Sequence, residues 1–220
     1  MNIYWTADWH INHANIIKYA GRTLFMNERE LTIYNNFLKE LQEKNANIGG
    51  IQKRMKQFII SRESVLKMNK ELIDRCNERV KENDTLYFLG DVGFKSGTGR
   101  GEGEPEKLEN YLSQIKCKHV IYIEGNHDVA GRNSFKTPIQ KIFLKYGGKN
   151  ICLVHNPENI DANCELNLTA HVHQKWQIMR IRKGFSFTDA INVGVDVWNY
   201  YPVDWSEINQ RYHQWLKEQK

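Results

Sequence analysis

Five short apolar runs in this chain end in residues that cannot serve a hydrophobic core. Ile3 to Thr6 runs into Asp8-Trp9-His10, Thr85 to Leu89 into Gly90-Asp91, and Val120 to Ile123 into Gly125-Asn126-His127-Asp128. Ile151 to Val154 meets His155, and Leu166 to Thr169 leads to His171-Val172-His173. Runs of four or five residues, rich in β-branched side chains and bounded by Gly, Asn or Asp, fit buried strands better than helices. Between them lie helical patterns. Apolar residues at 65, 66, 72, 73, 76 and 80 follow one helix face, and Pro105 precedes a second face of Leu108, Tyr111, Leu112 and Ile115. Asp204 with Glu207 three residues on opens a third helix like a capping box, with Ile208, Tyr212 and Trp215 as its face. Strands alternating with helices predict an α/β fold.

With 220 residues, no internal repeat and no linker, one domain over 1–220 is expected, with insertions or loops near 41–58 and 96–105. Ile191 to Val197 and the following WNYYP read as a packing strand and turn. Net charge is +5, which leans towards anionic partners without choosing among phosphates, nucleotides and nucleic acid. The densest basic groups, KRMK at 53–56 and RIRK at 180–183, read as solvated faces. Cys76, Cys117, Cys152 and Cys164 form no CxxC pair and read as small buried residues. No leader-like stretch and no apolar run near the ~20 residues of a membrane span occur, so a cytoplasmic protein with no membrane partner is expected. In that setting the glycosylation-type triplet at Asn167 carries no meaning.

In α/β folds, ligand chemistry gathers at the carboxyl ends of strands, where all five polar clusters fall. Gly-Asn-His-Asp is the most specific of them, and His171-x-His173 gains from a period-two spacing that points both rings one way. Together they supply Asp8, His10, Asp91, Asn126, His155, His171 and His173: oxygen and nitrogen donors with no thiolate. That set suits Mn, Fe, Zn or Ni better than a structural zinc cage. Seven donors are too many for one ion and about right for two if a carboxylate bridges, the recurring arrangement for phosphoryl chemistry.

The ordered set Asp8-x-His10, Gly90-Asp91, Gly125-Asn126-His127-Asp128, His155 and His171-x-His173 resembles the motifs of the calcineurin-like metallophosphoesterase superfamily. The NVGVDVWNYYPV stretch resembles a small bacterial, archaeal and phage branch of it. The resemblance implies a four-layer αββα sandwich with a binuclear centre on strand-end loops. By motif, Asp8, His10 and His173 would hold one ion, Asn126, His155 and His171 the other, and Asp91 would bridge. His127 would face the substrate as proton donor, with Asp128 orienting its ring. His13 and Arg22 would contact substrate phosphate, Arg22 by a bidentate grip. Two departures stand out: Val92-Gly93-Phe94 lacks an Asp often found after Gly-Asp, and Ala170 stands where the family usually has Gly.

The function this implies is a phosphoesterase using two divalent ions, Mn foremost. A hydroxide bridging the ions would attack phosphorus. Phosphodiesters rank ahead of monoesters as substrates, with nucleotides or nucleic acid as candidates. A catalytically silent binding protein of the same fold is the alternative from another class.

Overall fold

The structure, a computed structural model, describes residues 1–93, 107–131 and 139–219, without the side chains of 129–131. The Gly-rich stretch at 96–105 and Pro105 lie outside the described residues. In chain order the described elements are β1 (Ile3–Thr6), α1 (Ala14–Tyr19), α2 (Glu28–Leu41), α3 (Ile48–Gln57), α4 (Arg62–Arg79), β2 (Thr85–Leu89), α5 (Leu108–Leu112), β3 (His119–Ile123) and α6 (Asn126–Gly131). They continue with β4 (Lys141–Tyr146), β5 (Lys149–Val154), β6 (Leu166–Thr169), β7 (Ile178–Lys183), β8 (Ser186–Asn192), β9 (Val203–Asp204) and α7 (Trp205–Glu218).

Two sheets form, ordered β3-β2-β1-β9 and β4-β5-β6-β8-β7. In the first, β1, β2 and β3 are parallel, and β9 is antiparallel to β1. In the second, β5, β6 and β8 run parallel, while β4 and β7 are antiparallel edges. All five expected strands are present. Neither edge strand was anticipated, because Lys141, Lys145, Arg180, Arg182 and Lys183 break the apolar pattern, as edge strands exposed to solvent allow.

Alternation along the strands sorts side chains between clusters. On β2, Leu86 and Phe88 join the α4 stripe of Val65, Met68, Leu72, Ile73 and Cys76. Leu89 faces the other way, with Trp5, Ile123, Ile151, Leu153, Leu166, Leu168 and Ile191, so one cluster draws on both sheets. A smaller cluster of Cys152, Val154, Ile160, Cys164 and Ala190 lies on the opposite face of the second sheet. Each fully buried Leu, Ile, Val or Met contributes about 1.5–3 kcal/mol. Leu66 is partly exposed, because one residue beyond Val65 turns it 100° off the buried stripe.

The stretch at 41–58, expected as an insertion or loop, contains helix α3. Asn47 caps it by accepting the Gly50 N–H, Ile51 buries its face, and Arg54 pairs with Glu40 of α2. The cap and these contacts outweigh the weak helix propensity of Gly49 and Gly50. Helix α7 begins at the anticipated capping box of Asp204 and Glu207. It is pinned to the second sheet where the Tyr212 hydroxyl donates to Asp189 at 2.7 Å, a carboxylate that also takes two bonds from Arg180. All four cysteines are free and buried, as expected, and His119 and His213 are exposed. No helix among the described residues is long and apolar enough to cross a membrane.

Candidate metal centre

Parallel pairing of β1 and β2 continues past their ends into the polar turns. Asp8 N–H donates to the Gly90 carbonyl at 3.1 Å, His10 N–H to the Asp91 carbonyl at 3.0 Å, and Ile11 N–H to the Val92 carbonyl at 3.0 Å. The turns themselves are strained: Asp8 (φ 59°), His10 (φ 52°), Asp91 (φ 54°), His171 (φ 72°) and His173 (φ 51°) are all left-handed. Such backbone at non-glycine residues costs of order 1–3 kcal/mol each and persists only where the surroundings impose it, which marks functional turns. In the last motif the left-handed residue is His171 rather than Ala170, so alanine in place of the usual glycine is accommodated. Gly90 (φ 84°) and Gly125 are required by close approach, since a Cβ on Gly125 would collide with the Asp91 carboxylate.

The anticipated residues converge. Ligand atoms of Asp8, His10 and His173 lie within 4.8 Å of one another, as do those of Asp91, His155 and His171, and those of His10, Asp91 and His127. Asp91 Oδ2 sits between the first two groups, 3.5 Å from His10 Nε2 and 3.4 Å from His155 Nε2. Asp91 Oδ1 accepts the His127 N–H at 2.9 Å. Asn126 Oδ1 is 3.0 Å from His155 Nε2, and His155 Nδ1 bonds the Leu89 carbonyl at 2.7 Å, which aims Nε2 into the site. The rings of His13 and His127 lie 5.6 and 5.2 Å from that of His10, so both flank the first group.

Charge in the site is poised for cations. Burial pushes the Asp8 carboxyl up to about 6, against the pull of His155 and His173. Its Oδ1 is buried with no hydrogen-bond partner among the described residues, an orphan that a cation would satisfy. Burial and the neighbouring Arg22, His173, His13 and His127 hold His10 well below its usual value, so it stays in the neutral, ligating form. His155 goes the other way. Burial opposes its charge, but the hydrogen bond with Asp91 and the charges of Asp8 and Asp91 raise it to about 9, so a metal entering there displaces a proton. Donor types, convergence and the orphaned oxygen all fit divalent ions, which would be held by Asp8, His10, Asp91, Asn126, His155, His171 and His173.

Two expectations are corrected. Arg22 is fully buried and has no donor left for a substrate phosphate. Nε and Nη2 grip Asp196 at 2.8 and 3.1 Å, Nη2 also bonds the Asp8 carbonyl at 2.6 Å, and Nη1 bonds the Trp9 carbonyl at 2.9 Å and Met68 Sδ at 3.3 Å. The Asp128 carboxylate, expected to orient the His127 ring, is engaged with backbone. Its oxygens accept the N–H groups of Asp91, Val92 and Gly125 at 2.8, 3.1 and 2.9 Å, tying the Gly-Asp turn to the Gly-Asn-His-Asp turn.

Two supporting residues were missed. Asp196 accepts from His173 Nδ1 at 2.8 Å. Asn192 donates to the His173 and Trp176 carbonyls at 2.7 and 3.0 Å and accepts the Gly194 N–H. Both lie in the stretch read as packing. A buried Asn and Asp at the end of a strand are the signal that could have found them.

The sequence profile described as calcineurin-like phosphoesterase matches residues 1–220. The chain therefore belongs to the calcineurin-like phosphoesterase family, whose metal-dependent phosphoesterase chemistry these clusters suit. An uncharacterized protein of Methanocaldococcus jannaschii is 28% identical over 205 residues, covering 91% of this chain and 85% of that protein. Among solved structures, an Aquifex aeolicus protein of unknown function shares the fold at a TM-score of 0.52 and 20% identity, over 95% of this chain and 98% of its own. Vps29 of Chaetomium thermophilum aligns over 57% of each chain, with a TM-score of 0.33 and 13% identity.

Proposed function

We propose that the chain is a binuclear phosphodiesterase using two divalent ions, manganese first among the candidates. The observation that carries this reading is the single carboxylate oxygen of Asp91 lying 3.5 and 3.4 Å from histidines of two separate ligand groups. The all oxygen-and-nitrogen donor set favours manganese or iron over a thiolate-seeking metal. The ions would supply charge for the phosphoryl oxygens and acidify water.

The chain's own residues do the rest. Asp8 and Asp91 bring two negative charges, and neutral His10 and His171 add none. The site with two ions therefore stays electropositive and draws an anionic ester. His127, beside His10, is positioned to give a proton to the departing alkoxide, a role worth about 10²–10⁴ in rate. A cleft of about 220 Å³ opens at Asn126 and His155 and is continued by Glu124, Gln140, Asn156 and Asn159. Among the described residues its wall is rich in amides and holds no lysine or arginine, which suits an uncharged hydroxyl-bearing group such as a nucleoside and so favours a diester with an organic part to seat.

Initial rates on bis-p-nitrophenyl phosphate and p-nitrophenyl phosphate with added Mn²⁺ test the proposal. Faster diester hydrolysis is expected. Hydrolysis of the monoester alone would overturn the substrate class. His127→Ala should cost about 10²-fold on an alkyl diester and much less on the nitrophenyl diester, whose leaving group needs no proton.

A further inference from the structure

We propose that the buried Arg22–Asp196 pair is a positioning clamp for only one half of the centre. It holds the Asp8–His10 turn and the His173 ring, and so governs one cation site far more strongly than the other; this rests on the two-ion reading above. Asp196 can only accept from His173 at neutral pH, so the 2.8 Å contact assigns the proton to Nδ1 and leaves the Nε2 lone pair for a metal. The same carboxylate is neutralised by Arg22 from the other side, at 2.8 and 3.1 Å, with both side chains all but excluded from solvent.

The remaining donors of Arg22 bond the carbonyls of Asp8 and Trp9, which flank left-handed turns at Asp8 (φ 59°) and His10 (φ 52°). One guanidinium thus fixes backbone at the first motif and, through Asp196, a ring at the last. The other half has orienting groups of its own, the Leu89 carbonyl on His155 Nδ1 and Asp128 on the Asp91 and Gly125 N–H groups, and is tied to the clamped half by the His171 N–H on Asp8 Oδ2 at 2.9 Å and by the turn contacts at Gly90 and Asp91. None of those contacts involves Arg22 or Asp196. Neither clamp residue touches the reacting atoms, so both act through the ligands they hold.

Calorimetric titration of the metal-free full chain with Mn²⁺ tests the clamp, comparing wild type with Asp196→Asn and Arg22→Lys. The wild type should show two binding events. Each variant should lose about 10–100-fold in affinity at one of them and keep the other within about twofold. Unchanged affinity at both sites, or an equal loss at both, overturns the clamp. A wild-type chain that takes up one ion overturns the two-ion reading instead, and the clamp is then decided by the ring itself. Nitrogen-15 NMR of the metal-free wild type at alkaline pH should find His173 with its proton on Nδ1, and the Nε2–H tautomer would overturn the clamp. That second measurement also decides the matter if the variants fail to fold.

Discussion

The two ligand groups of the candidate centre solve one problem in two ways. Each must aim a histidine Nε2 inward by occupying its Nδ1. For His155 the partner is the Leu89 carbonyl at 2.7 Å, a group that strand β2 presents wherever its backbone runs. For His173 the partner is the Asp196 carboxylate at 2.8 Å, itself charged and dependent on Arg22, which lies 174 residues away in sequence. The first solution follows from laying β5 near β2. The second needs a buried ion pair assembled from two distant segments. A carboxylate partner also makes a histidine a stronger donor than a carbonyl partner does, so the halves should differ in affinity as well as in construction.

That contrast can be broken most severely at the residue both halves share. Under the two-ion proposal, Asp91→Asn should deplete metal from both sites and lower phosphoesterase activity by roughly 10³-fold or more, the equivalent of several kcal/mol of charge stabilisation. Metal analysis beside initial rates would check it, and retention of both ions would refute the bridging role.

Asp128→Ala sharpens the contrast from the second half. It removes the acceptor for three buried N–H groups, each costing about 1–3 kcal/mol when orphaned, so a loss of around 3 kcal/mol is expected after partial relaxation. Denaturant unfolding should register the loss, and the His173 tautomer should be unaffected.

Tyr212→Phe is the control away from both halves. It withdraws a buried hydroxyl from Asp189 and should cost about 1–2 kcal/mol by denaturant unfolding, with metal affinity unchanged. An effect on either metal site would show that α7 communicates with the centre.

The smallest expected effect is in pH dependence. Burial pushes the Asp189 carboxyl up, but hydrogen bonds from Arg180 and Tyr212 and the guanidinium charge bring it below its ordinary value. An unfolded Asp titrates near ~3.9, so the stabilisation is complete above that pH and is lost as pH falls through the lower folded value. Asp189→Asn should therefore narrow its stability gap to wild type as the solution is acidified through that window, measured by thermal melts.

Much of the centre was legible because its residues sit in short local patterns. A strand followed at once by Asp-x-His or Gly-Asn-His-Asp declares both the element and the direction in which its polar tip points. The edge strands β4 and β7 were not legible, since solvent on their flanks removes the need for an apolar run. Helix α3 was hidden by two glycines whose cost is met by the Asn47 cap. An arginine near a motif looks the same in sequence whether it faces solvent or the core, so the sequence alone suggests a phosphate ligand at Arg22. Asp196 was missed for the matching reason: a lone Asp in an apolar, aromatic stretch shows no partner until the fold supplies one.

What the sequence determined by itself was therefore the α/β alternation and the set of donor side chains, because strand period, turn chemistry and ligand type are properties of neighbouring residues. Only the tertiary structure decided which polar groups stand behind those donors. Hydrogen bonds and buried charges depend on distance and desolvation, and here the deciding pair comes from segments 174 residues apart.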